Sequence, residues 1–242
     1  MTTAAAHDSS SATAAAMARD AEIVVAGVAL TADCEGALFW PEQRLLVLAD
    51  LHLEKGSSFA ARGVLLPPYD TAATLSRIDR LIDRYAPRTV IALGDSFHDG
   101  GGPARVADRD RAALTGLQRG RDWIWIVGNH DPDPAGGVGG SFAAALAMGP
   151  LSFRHAPTGA AGEVAGHLHP VARLSGLGLT VRRRCFAGDR ERLVLPAFGA
   201  YAGGLNIRHR AFADLFGTLD FTAHLLGEHR LYAVAASRCL AD

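Results

Sequence analysis

The sequence has 242 residues, of which 49% are hydrophobic and 20% are charged, and its net charge is −1 at pH 7. This composition suits one globular domain with a full core and excludes a disordered or fibrous chain. The near-neutral charge argues against a protein that coats nucleic acid by bulk electrostatics, so any contact with DNA must be local. The three cysteines are widely spaced and form no Cys-x-x-Cys motif, which favours a reducing, cytoplasmic location over a disulfide scaffold or a thiolate zinc site.

Residues 1–20 form a low-complexity tract rich in Ala, Ser and Thr. Such side chains bury too little apolar surface to fold alone, and the tract lacks the basic start and apolar core of a secretory signal. We therefore expect a disordered tail over residues 1–20 and a single domain over residues 21–242. No apolar run approaches the roughly 20 residues needed to span a bilayer, so no membrane contact is expected.

The predicted elements begin near Glu22 with short strands, and two buried strands follow later in the chain. Residues 54–68 lack periodicity and are predicted to form a loop with a short helix. An amphipathic helix capped by Asp70 or Thr71 should follow and end at Tyr85. Helices between strands imply crossover connections and a largely parallel sheet. The predicted strands lie at 23–25, 28–30, 37–40, 45–48, 89–93, 123–127, 177–183, 192–196 and 231–235, and two further helices at 108–119 and 141–148.

Three of the predicted strands end in polar residues. Side chains two apart on a strand point the same way, so Asp50 and His52 can face one metal ion. Alone, this pair is equally well explained by an Asp that caps a loop and an exposed His. Glycine allows a sharp turn or a close backbone approach immediately before the second and third groups. The three groups are Asp50 with His52, Gly94-Asp95, and Gly128-Asn129-His130-Asp131.

Further imidazoles occur at later predicted strand ends, at His155, His167 and His169. Because every member of the set lies at a strand end, a metal site explains the set better than scattered loop caps do. Nitrogen and oxygen ligands without thiolate suit Mn²⁺, Fe or Zn²⁺ better than Ca²⁺. Asp95, on the middle of the three polar-ended strands, is the candidate to bridge two ions, as phosphoester chemistry requires.

In this order, the residues resemble the signature of the calcineurin-like metallophosphoesterases. Residues 49–56, 93–99 and 195–206 resemble more narrowly the bacterial ligase-associated DNA damage response endonucleases of the PdeM type. The resemblance implies an α/β fold, a four-layer αββα sandwich of two mixed β-sheets flanked by helices. It also implies two divalent metal ions, with Mn²⁺ favoured over Fe or Zn²⁺. The implied ligands of one ion are Asp50, His52, Asp95 and His169, and those of the other are Asp95, Asn129, His155 and His167.

The resemblance also assigns roles beside the metals. It implies that His130 protonates the leaving oxygen or stabilises the transition state, with Asp131 orienting its ring. Asn129 would contact substrate as well as metal. His98 either binds the scissile phosphate or supports its loop, and Lys55 is either a phosphate contact or a solvated charge. The phosphoprotein phosphatases of the family have Asp-Arg-Gly where this chain has His98-Asp99-Gly100, which argues against that activity.

The function predicted from these features is a dimetal phosphodiesterase, acting as a DNA endonuclease in ligase-associated repair. A DNA ligase and a helicase are the functional partners that the resemblance implies. The first alternative is a phosphoesterase for small nucleotides or other diesters, and the second is a non-catalytic, metal-stabilised module of a repair complex. The sequence carries no signal for the oligomeric state.

Two further patterns invite a nucleic-acid interpretation. The run Arg182–Arg184 could contact DNA, but alternation along a strand sends neighbours to opposite faces, so a solvated edge strand is favoured. Trp123 and Trp125 could stack on bases, but they flank isoleucines inside a predicted buried strand. Core packing is therefore the favoured role for both tryptophans.

Overall fold

The computed structural model describes residues 20–131, 137–176, 178–217 and 219–242. The tail predicted at residues 1–20 lies outside the described residues, except for Asp20, which begins the first strand. Within the described part of the chain, no helix is long and apolar enough to cross a membrane.

The first sheet has seven strands in chain order among the described residues. Its first four strands are antiparallel neighbours, and the last four run parallel. The fourth strand is buried on both faces and the fifth nearly so, as expected for parallel strands covered on either side. The strands are β1 (Asp20–Val25), β2 (Val28–Asp33), β3 (Leu38–Trp40), β4 (Leu45–Leu48), β5 (Thr89–Leu93), β6 (Asp122–Ile126) and β7 (Ser141–Ala143).

The second sheet is mixed and contains the later strands. The order of its main path is β14, β11, β12, β13, β10, β9 and β8, while β15 pairs with β12 and β16. The three strands β9, β10 and β13 are parallel to one another. The strands are β8 (Ala145–Met148), β9 (Leu151–Arg154), β10 (Glu163–Ala165), β11 (Pro170–Gly176), β12 (Leu179–Gly188), β13 (Leu193–Val194), β14 (Leu205–Asn206), β15 (Thr222–Leu226) and β16 (Leu231–Ala235).

Three hydrophobic clusters separate four layers. The first joins inward side chains of both sheets, such as Val47 and Phe186, the second lies between the first sheet and helices, and the third lies behind the second sheet. This arrangement confirms the predicted αββα sandwich. The helices are α1 (Lys55–Ala60), α2 (Asp70–Tyr85), α3 (Gly102–Arg105), α4 (Asp108–Gln118) and α5 (Arg210–Phe216), with 3₁₀ turns at Pro41–Gln43 and Ala236–Arg238.

The second cluster confirms the inward faces predicted for α2 and α4. Leu75, Ile78 and Leu81 of α2 are buried there, as are Leu114 and Leu117 of α4. The tryptophans at 123 and 125 belong to the same cluster, and their side chains are almost fully buried. The prediction that they pack in the core rather than stack on bases is therefore confirmed.

The helix predicted at residues 141–148 was wrong, because this segment forms β7 and β8. Ile124 of β6 pairs with Ser141, and Leu146 of β8 pairs with Phe153 of β9. Alanine-rich sequence favours a helix locally, but this propensity is worth only about 0.5 kcal/mol per residue. The backbone hydrogen bonds with the neighbouring strands β6 and β9 outweigh it. The segment thereby forms the edge of each sheet.

The predicted capping of α2 also differs. The residue before the helix is Tyr69, and no side chain caps the helix there. Asp70 instead accepts the backbone N–H of Gly56 at 3.1 Å. The Thr71 hydroxyl accepts the N–H of Glu54 at 2.9 Å and donates to its carboxylate. Both side chains therefore anchor α1, the short helix that was predicted in the loop over the site.

The segment Arg182–Arg184 pairs only with β11 and forms an exposed edge there, because β15 and β13 join β12 further along. Arg182 and Arg183 are exposed, as predicted for a solvated edge. Arg184 is half-buried and donates to the carbonyl of Ala197 at 2.9 Å, so the solvated description does not extend to it.

Candidate metal centre

The predicted ligands converge at the carboxyl ends of strands from both sheets. Asp50 and His52 follow β4, Asp95 follows β5, and Asn129 follows β6. The remaining imidazoles come from the second sheet, where His155 follows β9, and His167 and His169 lie between β10 and β11. Two sheets packed face to face thus bring their polar strand ends to one rim of the sandwich.

The ligand loops have an unusual backbone. Asp50, His52 and Asp95 have φ angles of 52°, 42° and 44°, and His167 and His169 have φ angles of 67° and 43°. Residues other than glycine rarely adopt this left-handed region, and such strain concentrates at functional sites. Strand alternation is therefore not what makes Asp50 and His52 face the same way, because β4 already ends at Leu48. Their loop conformation does so instead.

Glycines make room for the ligands at the closest approaches. A Cβ on Gly94 would overlap the imidazole of His155, and one on Gly166 would come within 2.6 Å of the Asp50 carboxylate. A Cβ on Gly128 would overlap the backbone nitrogen and carboxylate of Asp95. The close approach predicted for Gly94 and Gly128 is thus made to the ligand residues themselves.

The predicted ligands form two clusters that share one residue, and a third group of imidazoles, His52, His98 and His130, lies beside them. The first contains Asp50, His52, Asp95 and His169, and the second contains Asp95, His155 and His167. In the first cluster, His169 Nε2 lies 3.3 Å from both Asp50 Oδ1 and His52 Nε2. The sharing of Asp95 is what a bridge between two ions requires.

The second cluster is completed by the amide of Asn129. His155 Nε2 lies 2.8 Å from Asn129 Oδ1, 3.1 Å from His167 Nδ1 and 3.4 Å from Asp95 Oδ1. The structure therefore brings together all seven residues predicted as ligands, in the two groups that the sequence analysis assigned. Their role as ligands remains a prediction.

The hydrogen bonding of His155 tests whether these residues fit a cation. Its Nδ1 donates to the carbonyl of Leu93 at 3.0 Å, so in the neutral ring the lone pair lies on Nε2. This lone pair points toward the oxygens of Asn129 and Asp95. A convergence of lone pairs on one point is unfavourable unless a positive charge lies among them. The donor set therefore fits divalent cations.

Protonation also favours metal binding. Burial, reinforced by the imidazole of His169, lowers the pKa of His52 to about 2. Burial and the imidazole of His155 likewise lower the pKa of His167. Both rings are thus neutral near pH 7, and a neutral imidazole is the form that ligates metal. Asp50 is held by the N–H of His167, which donates to its carboxylate at 2.9 Å.

His130 lies beside the clusters and is not among the predicted ligands. Its Nδ1 donates to the carbonyl of His98 at 2.9 Å, and its Nε2 lies 3.9 Å from Asp95 Oδ2. The carbonyl therefore orients the ring, and the orienting role of Asp131 stays a prediction. Asp131 accepts the N–H of Phe97 at 3.0 Å, and burial raises the pKa of its carboxyl to about 6. It supports the loop that carries Asp95.

Two of the three predicted substrate contacts line an open cavity of about 470 Å³ over the clusters, and the third, Asn129, does not. Lys55 and His98 both border it, together with His130. Lys55 Nζ donates to the carbonyl of Tyr201 at 3.0 Å. The ring of His98 lies 5.6 Å from that of His130, and burial together with the Lys55 ammonium lowers the pKa of His98. Both side chains therefore border the cavity beside the predicted ligands.

Sequence reasoning missed the far wall of this cavity. Gly203, Gly204 and Leu205 line it, and Arg182 donates to the carbonyl of Gly204 at 2.7 Å. The glycine-rich run at 199–204 was the signal that could have revealed this wall. The sequence analysis used the run only as part of a family resemblance. The contact between Arg182 and Gly204 depends on the register in which β12 and β14 pair with β11. The hydrophobic periodicity of the sequence does not reveal that register.

Comparisons with known proteins place the chain in a family. The model of the calcineurin-like phosphoesterases matches residues 43–193. The structure resembles that of the Pseudomonas putida nuclease MPE, with a TM-score of 0.68 and 26% identity, covering 89% of this chain and 100% of that chain.

A more distant likeness is to Yfce, a phosphoesterase from E. coli, with a TM-score of 0.40 and 15% identity over 79% of this chain and 98% of that chain. No curated protein matches the sequence. The family model spans more than half of the sequence and includes all the predicted ligands. The chain therefore belongs to the calcineurin-like phosphoesterase family.

Proposed function

We propose that the protein is a dimetal phosphodiesterase that cuts DNA as an endonuclease. The observation that carries this proposal is the position of Asp95, which belongs to both clusters of ligand atoms. The first ion would be held by Asp50, His52, Asp95 and His169, and the second by Asp95, Asn129, His155 and His167. Two bound cations, with Mn²⁺ favoured over Fe or Zn²⁺, would neutralise the phosphate oxygens and would supply a nucleophile near neutral pH.

The remaining chemistry falls to the protein. Because His130 donates its Nδ1 proton to the carbonyl of His98, only Nε2 can exchange a proton with substrate. This nitrogen lies on the cavity side, 3.9 Å from Asp95 Oδ2. When protonated, it donates to the leaving oxygen and so avoids the release of a high-energy alkoxide. His130 is therefore the general acid of the proposed reaction.

Two side chains at the cavity edge are proposed to hold the phosphate. The Nδ1 atom of His98 is buried and has no hydrogen-bond partner among the described residues. Because the His98 side chain borders the cavity, rotation of its ring would bring this nitrogen to a phosphate oxygen without the loss of a hydrogen bond within the protein. Lys55 uses one donor on Tyr201 and has two left for a phosphate. Asn129, at the cluster edge, is exposed and can also meet the substrate.

The choice of DNA as substrate is supported by the nuclease from P. putida, whose fold this chain shares over 89% of its length. An open cavity with exposed His130 and His167 also admits a long polymer. We further propose a role in ligase-associated repair in the cytoplasm, with a DNA ligase and a helicase as functional partners, on the basis of the PdeM-type residues. Hydrolysis of small nucleotides is the competing function, because it needs the same metals without a DNA groove.

The test compares three substrates on protein loaded in turn with Mn²⁺, Mg²⁺ and Zn²⁺. Nicking of circular plasmid, together with weaker turnover of bis-p-nitrophenyl phosphate, would support the endonuclease. Cyclic nucleotides cleaved rapidly while plasmid stays intact would favour the small-molecule alternative. No turnover of any substrate by protein that holds two metals per chain would indicate a non-catalytic module. Metal analysis of protein purified without chelator establishes that stoichiometry.

A further inference from the structure

Two cations hold opposite ends of the glycine-rich wall of the cavity. Lys55 on α1 donates to the carbonyl of Tyr201 at 3.0 Å, and Arg182 on β12 donates to the carbonyl of Gly204 at 2.7 Å. The two side chains come from different layers of the sandwich and meet the same short segment. A positive charge therefore lies at each end of the wall that borders the metal clusters.

The position of Arg182 is close to a predicted ligand. The residue after Gly204, Leu205, donates its N–H to the carbonyl of His169 at 3.0 Å. A Cβ on Gly204 would lie only 2.8 Å from the same carbonyl oxygen. The Gly204 carbonyl that Arg182 contacts thus belongs to backbone packed directly on His169. A phosphate next to the one at the metals would pass this point.

Arg182 is paired with no carboxylate among the described residues, whereas Asp70 partly offsets the charge of Lys55 and opposes the lowering of its pKa by burial. Many other arginines near the sandwich rim pair with carboxylates, such as Arg105 with Asp99 and Arg154 with Glu163. Among the described residues, neither Lys55 nor Arg182 forms an ion pair, and each is bound to a neutral carbonyl. A guanidinium has five donors, so Arg182 keeps several for a ligand. Unpaired cations beside a phosphoesterase site are suited to bind phosphate.

Building on the proposed function, we propose that Arg182 binds a backbone phosphate of the nucleic acid next to the scissile phosphate. Lys55 would hold the strand at the other end of the same wall. The net charge of −1 gives the protein no general attraction for DNA, so binding must depend on a few placed cations such as these. Contacts of this kind position the strand without reading its sequence.

The neighbouring Arg183 is a matched control. Alternation places Arg182 on the face of β12 that Phe186 shares, and Phe186 packs between the two sheets. Arg183 alternates to the opposite face with Cys185 and Ala187, which pack in the cluster behind the second sheet, although both arginines also border a second cavity beside Glu228. Both arginines are exposed and one residue apart. Their substitution changes the net charge equally, so only the position of the charge differs.

The experiment measures kcat/KM for plasmid nicking and for bis-p-nitrophenyl phosphate, which has no flanking phosphate, in Mn²⁺-loaded protein at several salt concentrations. In Arg182→Gln, the ratio of the DNA value to the small-diester value should fall about tenfold, as expected for one lost charge-assisted hydrogen bond. The salt dependence of the DNA value should become shallower by about one in its logarithmic slope. Arg182→Lys, which keeps the charge, should restore most of the ratio, and Arg183→Gln should keep it.

Each of four results would overturn the proposal. Equal ratios in Arg182→Gln and Arg183→Gln would show that Arg182 holds no phosphate. An equal loss on both substrates would show that Arg182 acts only by fixing the Gly204 backbone. A wild-type protein that hydrolyses the small diester but never nicks DNA would refute the proposed function and this inference together. Normal nicking by Arg182→Gln would refute the inference alone.

Discussion

The glycine before Asn129 offers a sharp test of the metal centre, because it lies against the proposed bridging ligand. A Cβ on Gly128 would overlap the backbone nitrogen and the Oδ1 of Asp95, and would come within 2.8 Å of Asp131 Oδ1. Non-bonded heavy atoms are best separated by about 3.5–4.0 Å, so Asp95 would have to retreat by roughly 1 Å or more. Gly128→Ala should therefore move the one residue that both clusters share.

The expected magnitudes follow from that shift. A misplacement of about 1 Å at a catalytic group typically lowers turnover by about 10²-fold. Overpacking of this kind costs about 2 kcal/mol of unfolding free energy, which in a chain of this size lowers Tm by about 4–8 °C. Metal content should fall at both sites, because displacement of a shared ligand weakens both. Metal analysis, thermal unfolding and diester hydrolysis measure the three effects separately.

Gly116→Ala is the matched control. Gly116 lies in α4, it is exposed, and an added Cβ would meet no atom within 4 Å apart from the helix backbone. Replacing a helical glycine with alanine usually stabilises a protein, here by about 0.4–1 kcal/mol, and turnover should stay at the wild-type level. If Gly128→Ala kept two metals per chain and near-normal turnover, Asp95 would not need its present position, and the bridging assignment would fail.

Three further predictions address separate parts of the site. Asp95→Ala should lose metal at both sites and abolish hydrolysis, whereas two metals per chain with appreciable turnover would refute the bridge. His130→Ala should keep both metals and slow DNA cleavage by about 10²–10⁴-fold. The loss should be smaller on a p-nitrophenyl diester, because its leaving group needs no proton. Equal losses on the two substrates would indicate that His130 stabilises the phosphate instead. Burial would raise the pKa of Glu163, but hydrogen bonds from Thr158 and Arg154 outweigh the effect of burial and hold the pKa below 4.5. The negative charge of Glu163 therefore stabilises the fold above pH 4.5. Glu163→Gln should therefore cost about 1–3 kcal/mol at pH 7, and urea unfolding should show this difference shrinking as the pH falls below 4; a difference that does not change with pH would refute the linkage.

The parts of the fold that follow one local rule could be predicted from the sequence. The apolar period of α2 fixed its buried face, and the polar residues after β4, β5 and β6 located the rim of the sandwich. The segment at 141–148 could not be assigned in this way, because its strand state depends on hydrogen bonds from β6 and β9. Local propensity contains no information about such partners.

The site shows the same division at the level of single residues. The candidate ligands could be named from the sequence because Asp, Asn and His at strand ends are few and chemically distinctive. The means of positioning them was not visible, since it relies on left-handed backbone at Asp50, His52 and Asp95. The orientation of His130 was missed for a related reason: its partner is a backbone carbonyl, which every residue has and no sequence pattern marks.

These left-handed loops also explain how a ligand set drawn from two sheets can be held closely. In a strand, a side chain's direction is fixed by the pleat, and neighbouring strands are about 4.7–4.9 Å apart, which is too coarse to place several atoms around one ion. A loop residue at positive φ can turn its side chain independently, and its strain of about 1–3 kcal/mol is offset by the surrounding contacts. Here the N–H of His52 donates to the carbonyl of Asp95 at 2.9 Å, and the N–H of His167 donates to the carboxylate of Asp50 at 2.9 Å. The first bond joins two loops of the first sheet and the second joins a loop of each sheet, so the backbone itself holds the predicted ligands in place.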